Sequence, residues 1–251
     1  MKKKFLTSFL IALIAIPLFA QGTKEDYSPY VASTSWTASF AYVGGLDNVI
    51  NIAPADLVHP PEYEILPSDI SKIQQSQAFV YAGYEVMMKT LSDNLINDDI
   101  RVQINTVNTL DNIKAQAEKI SEKYNTQDKS KIRVQEIEDL YNNARKEIKE
   151  KHIDQMNAYV HFHQVEFAKS LGLNVVGSFG PNAVSPKNIE EISKLDNALI
   201  IDNIHNPLAA PLTEVNKDAK LVVWRNFPNN CEDQALYKML KGNIDLLLDA
   251  F

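Results

Sequence analysis

The chain has one cysteine, Cys231, in 251 residues. A single thiol excludes an internal disulfide framework and any zinc site built from several cysteines. Glycine (8) and proline (11) are too scarce for a fibrous or low-complexity chain. Positive charge is also short: 25 Lys and Arg face 32 Asp and Glu, for a formal net charge of -7, and no basic stripe breaks the balance. That argues against nucleic acid as a partner. Beyond the first twenty residues, no stretch reaches the length of a spanning helix. There is no nucleophile elbow, no phosphate-cradling glycine loop and no His-Glu-x-x-His pair, so the chain does not read as an enzyme. What is present, 45% hydrophobic residues over this length, suits one large domain or two lobes.

The first twenty residues, MKKKFLTSFLIALIAIPLFA, stand apart. Lys2, Lys3 and Lys4 form a positive end, Phe5 to Phe19 a short apolar run, and Ala20 a small residue before polar Gln21-Gly22-Thr23. This pattern reads as a cleavable secretory signal peptide. The run is short for an anchor, Thr7 and Ser8 interrupt its start, and no cysteine nearby offers a lipid attachment point. Its removal leaves 22 basic against 32 acidic residues. A soluble product in the periplasm or outside the cell is expected. Cys231 has no partner in the chain and is read as structural or incidental.

The rest of the chain alternates short strands with short helices. Asn48 to Ala53 and Ala78 to Gly83 read as strands, with a helix start at Pro67-Ser68-Asp69 between them. The second half repeats this grammar. Leu173 to Phe179 is a strand, Ser185-Pro186 a cap with proline in the first turn, and Asn197 to Ile204 the next strand. Asn206-Pro207 then opens a helix, Lys220 to Asn226 is a strand, and Gln234 to Asp249 closes as a helix. Between the halves, Thr109 to Tyr124 and Lys129 to Lys151 place apolar residues on one helical face. The fold class expected is α/β: two lobes with parallel sheets flanked by helices, joined by a long linker helix. The boundaries read as a signal peptide over 1–20, an N-terminal lobe over 21–127, a linker helix over 128–154 and a C-terminal lobe over 155–251.

Val43-Gly44-Gly45, followed by VINIAPADLVHPPEYEILPSDI from Val49 to Ile70, resembles the zinc/manganese-type (cluster A-I) solute-binding proteins of bacterial ABC importers. That family shows a Gly-Gly turn, a strand, a His-Glu-Tyr-Glu stretch and a Pro-Ser-x-Asp helix start. FVYAGYE (Phe79 to Glu85), HFHQVEFAKSLGL (His161 to Leu173), the Ser185-Pro186 start, ALIIDN and the closing LYKMLKGNIDLLLDAF fit the same family in order. The resemblance covers most of the chain after residue 20, with a shortened stretch around 85–155. It implies two α/β lobes joined by a long helix, a metal ion bound between them as cargo, and delivery to a membrane permease. A monomer is expected.

The residues that the family uses for the ion are mostly changed. With Glu62-Tyr63-Glu64 aligned on the motif, the first His position holds Pro61, and His59 lies two residues earlier. The second His position falls near Asn105. The third fits His161. The late Asp falls on or beside Arg225, whose charge repels a cation. A rebuilt set would draw on His59, His161, His163, and Asp202 or His205, the last two ending a strand where α/β sheets place ligands. The alternative is that these histidines only make hydrogen bonds near the cleft. Arg225, Glu62 and Asn105 are further cleft candidates. Trp36 and Trp224 read as pocket lining or as core. Two functions remain open: a metal-ion-binding importer component, or a relative that has lost family-type metal binding and takes another ligand or an accessory role.

Overall fold

A computed structural model describes residues 29–91 and 95–251. The signal-peptide reading of 1–20 lies outside these residues. The first half contains β1 (Tyr30–Ala32), α1 (Ser35–Val43), β2 (Ile50–Asn51), α2 (Pro67–Gln74), β3 (Ala78–Tyr81), α3 (Met87–Thr90) and β4 (Arg101–Gln103). Helices α4 (Leu110–Tyr124) and α5 (Gln127–Glu150) follow. The second half contains β5 (Asn157–His161), α6 (Val165–Ser170), β6 (Val175–Phe179), α7 (Pro186–Ser193), β7 (Ala198–Asn203), α8 (Ala210–Val215), β8 (Lys220–Trp224) and α9 (Ala235–Leu248).

Each half builds a four-stranded sheet, and every pairing is parallel. The orders β2-β1-β3-β4 and β6-β5-β7-β8 are the same topology used twice. Both sheets are flanked by helices, as parallel sheets covered on two faces require. Strand β7 shows the consequence: all six residues of ALIIDN are buried. In such sheets ligands gather beyond the carboxyl ends of the strands, where the strand order reverses. Here that is beyond β1 and β3 in one lobe and β5 and β7 in the other.

Helix α1 begins with a reciprocal cap. Thr37 N–H donates to Thr34 Oγ1 at 3.3 Å and Thr34 N–H donates to Thr37 Oγ1 at 3.0 Å. It ends at Gly44 and Gly45. A methyl group at 44 would lie 2.5 Å from Ile120 Cγ2 of α4, and Gly45 has φ +95°, so side chains are excluded there by contact and by backbone conformation. The Gly-Gly turn therefore lets α1 pack directly on α4.

Helix α5 has 24 residues, about 36 Å at 1.5 Å per residue. Its buried face is Ile137, Tyr141, Ala144 and Ile148, one stripe at helical spacing. Arg133 on α5 bonds to Asp47 Oδ1 at 2.5 Å and to Tyr42 O at 2.5 Å, with its guanidinium 3.6 Å from the Tyr42 ring centre. Tyr141 Oη donates to the carbonyl of Asn108 at 2.8 Å. One continuous apolar core runs from Val80 and Val102 of the first sheet, past Tyr141 and Ile148, to Val160, Leu199 and Trp224 of the second. The long helix is thus cemented into both lobes.

Candidate functional site

A cavity of about 900 Å³ opens between the lobes. Two loops that leave the last strand of each sheet meet at its floor. Asn108 follows β4, and its Nδ2 donates to the Asn226 carbonyl after β8 at 2.9 Å. Asn108 Oδ1 accepts the indole N–H of Trp36 at 3.2 Å. Asn226 Oδ1 lies 2.5 Å from His205 Nδ1. The His205 ring stacks on Phe227 with centroids 3.8 Å apart, and Phe227 in turn packs against Trp36 at 5.9 Å. This closed circuit of two amides, one indole, one imidazole and one phenyl ring joins the lobes.

The candidate ligands fall into three groups. His59, His163 and His205 all line the cleft. His59 comes from the first lobe, just before a short 3-10 turn at Pro60–Glu62. It is close enough for its charge to act on His205 of the second lobe. His163 follows β5 in a second 3-10 turn, and its ring lies 5.5 Å from that of His161. Partial burial lowers the pKa of His163. Burial also lowers that of His205, with the Arg225 and His59 charges adding to the fall and the Asn226 bond opposing it. Neutral imidazoles are the form that ligates metals.

Asp202 is occupied by structure, and His161 is buried. His161 ends β5 with no exposed surface. Its Nδ1 accepts the backbone N–H of His163 at 3.3 Å, and its Nε2 has no partner among the described residues. Gly180, at φ +76°, covers that nitrogen so closely that a Cβ there would stand 2.8 Å from it. Burial takes the His161 pKa down to about 4, with His163 adding and Asp202 opposing. His161 does not itself line the cleft; its neighbours Ser178, Pro181 and His163 do. The Asp202 carboxylate accepts four backbone bonds: Asn203 N–H at 2.8 Å, Leu208 N–H at 3.2 and 3.0 Å, and Ala209 N–H at 2.9 Å. It fastens the loop before α8. That helix starts at Ala210, three residues later than the Asn206-Pro207 signal implied, because this carboxylate holds the intervening turn.

Arg225 and Glu62 do not line the cleft. Arg225 borders a separate hollow beside α9, where its backbone N–H donates to Asn243 Oδ1 at 2.9 Å. The next residue, Asn226, lines the cleft instead. Asn105 lines the cleft, and so does Pro61. Trp36 lines it, whereas Trp224 is fully buried in the core. Among the described residues, no three His, Cys, Asp or Glu side chains form a group able to hold a metal ion.

Sequence reasoning missed Asn108, Asn226 and Phe227. Their signal was positional: both asparagines lie just beyond the carboxyl end of a last strand, in INTVNT and RNFPNN. A buried carboxylate was also missed. Glu85 is 1% exposed and accepts Ser33 Oγ at 2.5 Å, Ala82 N–H at 2.8 Å and Gly83 N–H at 2.6 Å. It secures the loop after β3 as Asp202 secures the loop after β7.

No protein-family model and no curated protein sequence matches the chain. Solved structures do. It is similar to the solute-binding protein (SBP) FpvC from Pseudomonas aeruginosa in complex with Mn2+, with a TM-score of 0.69 and 14% identity over 88% of this chain and 97% of that one. It is similar to the laminin binding protein Lmb of Streptococcus agalactiae, described as a bifunctional protein with adhesin and metal transporting activity, with a TM-score of 0.64 and 16% identity over 88% and 98%. It is also similar to a Zn(II)-bound AdcAII mutant variant of Streptococcus pneumoniae, with a TM-score of 0.61 and 19% identity over 88% and 98%. The chain has the two-lobed α/β fold of these solute-binding proteins.

Proposed function

We propose that the chain is the exported solute-binding component of an ABC importer, with a transition-metal ion as cargo. One observation carries this reading: His59 from the first lobe and His163 and His205 from the second line a single cleft between two like sheets. Imidazole nitrogens suit zinc, while manganese favours more oxygen, so of these two ions the donors favour zinc. The ion enters at the rim, small movements of the loops bearing His59 and His163 bring the donors together, and the loaded protein passes its cargo to a membrane permease. The protein acts as a monomer, in the periplasm or outside the cell, without catalysing a reaction. Among the described residues no helix is long and apolar enough to cross a membrane.

The test is zinc binding by the chain from residue 21 onward. A ligand that binds only the folded state raises Tm. Zinc should raise Tm, a chelator should reverse the rise, and alanine at His59, His163 or His205 should abolish it. A Tm unmoved by zinc or manganese removes this reading.

A second reading has its own support. Where the family places ligands, the cleft presents Pro61, Asn105 and, beside Arg225, Asn226. None of these is a strong metal ligand. On that basis the chain is a relative that has lost family-type metal binding and takes another solute. Retained cleft binding without a metal requirement separates it from the first.

A further inference from the structure

The cleft is far larger than an ion requires. Zinc sits about 2.0–2.3 Å from each of four donors, so the ion and its contacts fill a small part of 900 Å³. That volume lies in the range of sites for small organic molecules. The floor offers flat rings, Trp36 with Phe227 and the His205 ring stacked on it.

The amides in the wall are set to donate. Asn203 Oδ1 accepts the backbone N–H of His205 at 3.1 Å. Asn105 Oδ1 accepts the backbone N–H of Val107 at 3.0 Å. A backbone donor therefore fixes which end of each amide is which. Their NH2 groups have no hydrogen-bond partner among the described residues, and both residues line the cleft. Asn203 is 1% exposed, so its NH2 has little but the cleft to turn to. An amide NH2 donates to oxygen acceptors and does not ligate a cation. The first lobe supplies Asn105 and the second Asn203, as the first supplies His59 and the second His163 and His205.

We propose that the cargo enters this cleft as a metal chelate, an ion already wrapped by a small, oxygen-bearing organic molecule with a flat part. Asn105 and Asn203 bind the chelator's oxygens, the Trp36–Phe227 face packs against its flat part, and a cleft imidazole takes a coordination position that the chelator leaves open. This deepens the metal-cargo reading and rests on it. It accounts for a cleft with imidazoles but no cluster of three protein ligands, because the missing donors come with the ion.

Calorimetric titration of the chain from residue 21 onward tests it, with zinc chloride, the zinc complexes of picolinate, maltolate and acetohydroxamate, and each chelator alone. At least one complex should bind about tenfold or more tightly than zinc chloride. Asn105→Ala, at an exposed position, should remove most of that gain. Asn203→Asp keeps the acceptor for His205 N–H and loses the donor, so it should weaken the complex while leaving or strengthening zinc chloride binding. Zinc chloride matching all three complexes overturns the chelate and leaves the metal reading standing. Tight complexes unaffected by both variants overturn it equally. Failure of zinc and of every complex removes the metal reading and the chelate with it.

Discussion

Asn108 and Asn226 are 118 positions apart in sequence, yet the side-chain amide of one donates to the main-chain carbonyl of the other at 2.9 Å. Each lies just past the last strand of its own sheet. The same Asn108 also receives the Trp36 indole at 3.2 Å, so one buried side chain closes the floor of the cleft.

Replacing Asn108 with Ala should therefore cost about 2 kcal/mol, since it removes two bonds and leaves a partly buried indole N–H and a carbonyl without partners. Urea denaturation measures the loss. Trp36 emission should shift to the red as water reaches it, while Trp224, buried in the core, contributes an unchanged component. Asn108→Asp keeps the acceptor for Trp36 and should restore the emission without restoring all of the stability.

Acid should weaken the fold through His161. Its folded pKa is about 4, below the ordinary 6.5, so the unfolded chain binds more protons in that window and stability falls as pH drops through it. His163 and His205 shift in the same direction. The gap at His161 corresponds to about 3 kcal/mol as an upper bound. Chemical denaturation between pH 7.5 and 4.5 should show this decline, and His161→Gln should flatten it. An equal slope in the variant assigns the decline to other groups.

Gly180→Ala should destabilise by about 1–3 kcal/mol, from a left-handed backbone position and a clash 2.8 Å from His161 Nε2. Adding His161→Ala removes the atom that is struck. The double variant should then lose less than the two single losses added together, a coupling that thermal or urea melts detect.

Asp202→Ala should lower stability by about 2–4 kcal/mol, because several buried N–H groups lose their acceptor. Metal or chelate affinity of the folded variant should stay near that of the parent. A large loss of affinity with little loss of stability would place Asp202 among the ligands instead.

Much of the fold was legible because its pattern is local. ALIIDN reads as a buried strand and Ile137, Leu140, Tyr141, Ala144 and Ile148 as one helical face; the strand appears as read, and on the helix all but the half-buried Leu140 are buried. Strand β1 and helix α1 escaped. SWTASFAYV is buried on nearly every side, so it carries no polar face for periodicity to detect, and three-residue β1 is too short for alternation. The site was less legible. His59, His163 and His205 were singled out by chemistry, and all three reach the cleft. His161 was singled out by resemblance and lies behind Gly180, a position that only tertiary packing reveals. Asp202 drew notice as a charge at a strand end, where its burial is explained by backbone N–H groups. Asparagines at 108 and 226 carry no chemical flag in a sequence.

The shared core around α5 has a kinetic consequence. Two halves welded through the same rod cannot swing apart as jaws without tearing Tyr141 and Trp224 from their neighbours. For the proposed cargo, entry and escape then depend on the short segments at the mouth, those bearing His59 and Phe162, so that its dwell time is set by loops rather than by whole-body breathing.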